Sequence, residues 1–131
     1  MIMNNGLLQK TEWKAEEHLP VIVSHYCVKK NETVRIKVKI GKQINHPGKN
    51  EHNIAWIDIY FSAQDVMFPQ LIGRVEFTSN GELAQDTDTG AVHSCDDAIF
   101  KFKPDKSGVI YATSYCDTHG FCQSSAELKV V

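Results

Sequence analysis

Residues 33–40 read TVRIKVKI, and this alternation limits the possible folds more than any other feature of the chain. Val34, Ile36, Val38 and Ile40 fall on one side of an extended backbone, and Arg35, Lys37 and Lys39 fall on the other. A period of two suits a strand with one face in a core and one in water; a helix would scatter the same residues around its circumference. Residues 98–103, AIFKFK, alternate again. Residues 53–61, NIAWIDIYF, are rich in β-branched and aromatic side chains. They predict a strand with Ala55, Ile57, Ile59 and Phe61 on the apolar face, and Trp56 and Tyr60 on a face that needs partial cover. Residues 109–116, VIYATSYC, predict a central strand, and residues 127–131 a closing one.

Turn signals separate these runs: Asn31-Glu32, His46-Pro47-Gly48, Asn80-Gly81, the stretch 104–108 and the stretch 117–120. Short strands at this spacing predict an all-β fold, an antiparallel β-sandwich of about seven strands. The one helical candidate is a turn or two over residues 10–17, and the polar residues 81–90 read as a loop. With 131 residues and no repeat or linker, the chain is expected to form one domain over 1–131, with 1–17 leading into the sandwich.

A net charge of −2 argues against nucleic acid as a partner, because binding a phosphate backbone needs a surplus of Lys and Arg on one face. No apolar run is long enough to cross a bilayer, and the first residues lack the charged and apolar regions of a signal peptide. No membrane association and a cytoplasmic location are therefore expected. The four cysteines, Cys27, Cys95, Cys116 and Cys122, are scattered and read as thiols rather than a disulfide framework.

Five ligand-type side chains sit at strand ends or in loops. His18 lies just before Pro20 in EEHLP; His46 and His52 bracket HPGKNEH, which leads into the Trp56 strand; Cys116 and His119 bracket CDTHG. A lone loop histidine is usually solvated, and Cys-x2-His is a common coincidence. Convergence of all five has an economical cause in a metal ion, since imidazole suits iron, zinc and copper and a thiolate adds a soft donor. Copper is disfavoured because Met1, Met3 and Met67 are remote in sequence from the Cys116 loop, and structural zinc because five ligands exceed its tetrahedral need.

The segments EEHLP, HPGKNEHNIAWIDIYF and SYCDTHG, in that order, resemble the three signature segments of the superoxide reductases, the neelaredoxin and desulfoferrodoxin family. The resemblance runs from about Lys10 to the end of the chain. The rubredoxin-like domain of the desulfoferrodoxins, with its own Cys-x2-Cys, is not seen, so the chain resembles the one-iron neelaredoxin type. The resemblance implies an immunoglobulin-like sandwich and one mononuclear non-haem iron. It places His18, His46, His52 and His119 in the equatorial plane, Cys116 in the axial position, and Glu16 as the carboxylate that takes or releases the sixth position. It implies reduction of superoxide to hydrogen peroxide, an electron donor such as rubredoxin, and a homo-oligomer, with the tetramer favoured.

The sequence departs from the family pattern where a lysine usually precedes the first histidine ligand; here Glu17 stands instead. That lysine is credited with drawing in the anion and helping to deliver a proton, and Lys49 is the candidate replacement. Asp117 replaces a frequent Asn, and Phe121-Cys122 a frequent Leu-Trp pair. Cys122 reads as a small buried side chain rather than a further ligand, His25 and His93 as surface or structural histidines, and Trp56 as packing. The alternative function is a non-enzymatic iron-binding or electron-transfer module with reductase activity weakened by Glu17.

Overall fold

The computed structural model describes residues 8–9 (backbone only), 19–40, 54–78, 97–116 and 120–131. All regular structure among them is β. In chain order the strands are β1 (Leu8–Gln9), β2 (Pro20–Val23), β3 (Cys27–Val28), β4 (Val34–Ile40), β5 (Ile54–Ala63), β6 (Gln70–Glu76), β7 (Asp97–Phe102), β8 (Gly108–Cys116) and β9 (Gly120–Val130). Seven have four residues or more, as the sequence led one to expect; β1 and β3 are two-residue additions. The helical candidate at 10–17 and the loop at 81–90 lie outside the described residues.

The strands form two sheets. The larger runs β1-β9-β8-β5-β6, with β3 also on β9, and the smaller runs β2-β4-β7. They stack as a β-sandwich. Its core is made by Val34, Ile36, Val38, Ile40, Ala98 and Phe100 from the small sheet and Ile54, Ile57, Ile59, Phe61, Ile110, Ala112 and Leu128 from the large one. Strand β4 follows its sequence pattern throughout, with its four aliphatic residues buried. The long strands pair antiparallel, but β1 and β3 lie parallel to β9, at opposite ends of the same edge. Backbone groups on that edge are thereby capped where an exposed strand would otherwise recruit another chain. The hydroxyl of Ser124 on β9 donates to the carbonyl of Pro20 on β2, tying the two sheets together beside the core.

One departure from the sequence pattern bears on function. A regular strand over 53–61 would turn Ala55 inward, yet Ile54 is buried and Ala55 is only half-buried. The cause is a β-bulge: Ile54 pairs with Cys116 and Trp56 with Tyr115, leaving Ala55 as an extra residue. Its carbonyl still accepts a hydrogen bond from the Phe77 N–H at 2.9 Å. The bulge therefore exchanges a small inward residue for a large one at the end of β5 nearest Cys116.

Candidate metal centre

Cys116 ends β8, the strand held between β5 and β9. Its neighbours are Ile54 on one side and Gly120 on the other. Gly120 has φ +77°, a left-handed conformation that glycine adopts without a Cβ penalty, and it is the first residue of β9. The alternation that buries Ile110 and Ala112 also points Cys116 inward, leaving it 1% exposed. Inward side chains beside it are Ser114 on the same strand and Cys122 on β9. Burial pushes the Cys122 thiol up to about 11, and the nearby Cys116 adds to the rise. Cys122 is 1% exposed, a small buried side chain in the sheet.

The opposite face of the same strand ends carries an aromatic cluster. Trp56 stacks on Tyr115 with ring centres 6.1 Å apart, and Phe121 lies 5.6 Å from Trp56 and 5.1 Å from Tyr115. The Arg74 guanidinium sits 4.4 Å over the Trp56 ring while gripping Asp58 through two hydrogen bonds of 2.6 and 2.9 Å. Asp58 is buried on this outer face, and the Tyr60 hydroxyl donates to it at 3.2 Å. Burial first, then the Asp58 carboxylate, raises the Tyr60 phenol above its usual value. Trp56 therefore packs, as its sequence context suggested, and the floor behind Cys116 is held by aromatic and ionic contacts at once.

Of the residues singled out in the sequence for the site, Cys116 lies among the described residues. Glu16, Glu17, His18, His46, Lys49, His52 and His119 lie outside them, as do His93, Cys95 and Asp117. Among the described residues no group of three or more His, Cys, Asp or Glu side chains could hold a metal ion. His25 is exposed, in keeping with a surface histidine, and Cys27 is an exposed thiol. Met67 is 83% exposed on the turn after β5, and Ala63 at that end of the strand pairs with Gly108, the residue of β8 farthest from Cys116. An axial Met from that position is excluded. The sequence reading passed over Ser114 and the Asp58–Arg74 pair; the one hint was an aspartate inside an otherwise apolar and aromatic run.

The family model for desulfoferrodoxin matches residues 10–125. The chain belongs to the desulfoferrodoxin family. Within it, the superoxide reductase of Pyrococcus abyssi is 38% identical over 127 residues, covering 97% of this chain and 100% of the relative. The neelaredoxin of Megalodesulfovibrio gigas is 35% identical over 119 residues, covering 91% and 92% of the two chains. The structure of the superoxide reductase (neelaredoxin) of Archaeoglobus fulgidus in the reduced form superposes with a TM-score of 0.83 at 39% identity, over 95% of this chain and 99% of that one. A desulfoferrodoxin-family sandwich thus spans both sheets and the Cys116 strand end.

Proposed function

We propose that this chain is a superoxide reductase, an oxidoreductase that converts superoxide to hydrogen peroxide with one electron and two protons and releases no dioxygen. The observation that carries the reading is similarity to superoxide reductases over nearly the whole of both chains, together with a buried cysteine at the strand end where the family motif falls. His18, His46, His52, His119 and Cys116 would hold one iron, and Glu16 would be a further carboxylate able to bind it. The donor set fits iron: imidazoles with one thiolate form a mixed soft and borderline shell. In sequence, His119 directly precedes Gly120, the residue paired with Cys116, and His52 stands two residues before Ile54, its partner on the other side. His18 directly precedes the buried Leu19.

Iron held by these residues would supply a one-electron couple to a small bound anion. The protein's own groups do the rest. The buried Cys116 would offer a thiolate, an electron-rich donor, to the iron. Lys49 draws the anion toward the site and offers a proton, while Glu17 opposes that attraction. Exchanging lysine for glutamate alters the local charge by two units, each worth roughly 1 kcal/mol at short range in a solvated setting. The expected result is slower encounter with unchanged chemistry.

The electron donor is proposed to be a small carrier protein such as rubredoxin. Residues 1–131 are read as one cytoplasmic domain, and a homotetramer is the proposed assembly. Val66, Met67, Phe68 and Leu71 form an exposed apolar group suited to burial between copies. No helix among the described residues is long and apolar enough to cross a membrane.

Metal analysis and a visible spectrum test the site. One iron per chain is expected, with a sulfur-to-iron charge-transfer band in the ferric form that Cys116→Ser abolishes. Hydrogen peroxide formed per superoxide consumed, with dioxygen monitored, tests the activity. Protein with the band but no peroxide yield above spontaneous dismutation would instead be an electron-transfer module. Glu17→Lys should quicken the reaction and Lys49→Ala slow it; equal rates in all three proteins would refute the charge argument.

A further inference from the structure

The inner face of β8 changes character along its length. Ile110 and Ala112 belong to the apolar core, but the next inward positions are Ser114 and Cys116, 0% and 1% exposed. Strand β9 contributes Cys122, 1% exposed, directly opposite Ser114. Cys116 pairs with Gly120, two residues from Cys122, so Cys122 is also the diagonal neighbour of Cys116 on the same face. A hydroxyl and two sulfurs therefore gather at the inner end of the strand, away from water.

The Ser114 hydroxyl has no hydrogen-bond partner among the described residues. Buried hydroxyls are normally satisfied, so this one calls for an explanation. A neutral thiol is a weak acceptor, whereas a thiolate accepts strongly from O–H and S–H donors. Ser114 stands two residues along the strand from Cys116 and directly opposite Cys122, so its hydroxyl shares one face of the sheet with both sulfurs. Cys122, opposite Ser114 and diagonal to Cys116, shares this buried face of the strand pair with both residues.

We infer that Ser114 and Cys122 are positioning residues for the Cys116 sulfur, presenting an O–H and an S–H donor to it from the buried side and limiting the electron density it gives up as a ligand. The inference rests on the proposed ligand role of Cys116 and extends it to residues in the strand pair rather than the turn. Hydrogen bonds to a ligating sulfur lower the energy of its lone pairs, which raises both the energy of its charge-transfer band and the reduction potential of the metal.

The test uses iron-loaded Ser114→Ala, Cys122→Ala and Cys122→Ser proteins, read by the ferric charge-transfer band and the reduction potential. Both alanine variants are expected to move the band to longer wavelength and lower the potential. Cys122→Ser, which keeps a donor and makes it stronger, is expected to move both the other way, and it serves if the alanine variants fold poorly. Wild-type band position and potential in all variants, at one iron per chain, would overturn the inference while leaving the reductase reading intact. A wild-type protein without any charge-transfer band would overturn the ligand role and the inference with it.

Discussion

Replacing Ile54 by alanine tests the bulge that joins β5 to the Cys116 strand end. Ile54 is 1% exposed and pairs with Cys116, whereas Ala55 is the half-buried extra residue. Ile54→Ala removes three carbons from the core, worth about 2.4 kcal/mol at about 0.8 kcal/mol per carbon. Incomplete collapse of the cavity brings the total to about 3 kcal/mol. Unfolding entropy of about 2.1 cal/mol/K per residue over 131 residues converts that into a fall in Tm of about 11 °C. Ala55→Ser, on the bulged position, should cost less than about 1 kcal/mol. Both variants are compared with the parent in metal-free form by thermal and urea denaturation, so that metal binding to the folded state does not mask the difference. An unbulged strand would place Ala55 in the core and Ile54 outside it. A larger loss from Ala55→Ser than from Ile54→Ala would refute the bulge and, with it, the account of how the chain enters the site.

Gly108→Ala should destabilise the protein by about 2 kcal/mol, because the new Cβ would collide with the Ser62 carbonyl oxygen and lie 2.9 Å from the Ala63 Cα, neither able to move without the strand. Since Gly108 opens β8 at the end opposite Cys116, iron content in the folded fraction should be unchanged, as metal analysis would show. Tyr60→Phe should flatten the alkaline end of the stability profile. In the folded protein the Tyr60 phenol holds its proton above the usual 10.0, so its contribution is complete below pH 10 and is lost as pH climbs through the higher folded value. Urea midpoints measured on either side of pH 10 should fall less in Tyr60→Phe than in the parent; equal falls would refute the assignment.

Strands whose alternation is unbroken were readable from the chain alone: β4, β7 and β8 begin and end within a residue of their sequence limits. Strand β9 begins at Gly120, seven residues before its expected start at 127, because Gln123, Ser124 and Ser125 look like a loop until their partners on β8 and Pro20 on β2 are known. Strand β6 carries Gln70, Gly73 and Arg74 and is mostly exposed; its place comes from pairing with β5, not from its own pattern. The phase of β5 failed at Ala55, since a bulge is a property of two strands and leaves no mark in one. At the site, the position of Cys116 at the end of a central strand was legible from the sequence, but the company it keeps was not. Ser114 and Cys122 meet across a ladder eight residues apart, and Asp58 meets Arg74 across one of sixteen.

Cys116 belongs to a strand hydrogen-bonded on both flanks, with Gly120 of β9 on one side and a bulged, aromatic-backed strand on the other. A donor atom mounted this way has little freedom to drift as charge at its partner rises and falls. Oxidation and reduction of a centre built on this sulfur would begin and finish with the ligand in nearly the same place. The contribution of this sulfur to nuclear reorganisation would accordingly be small.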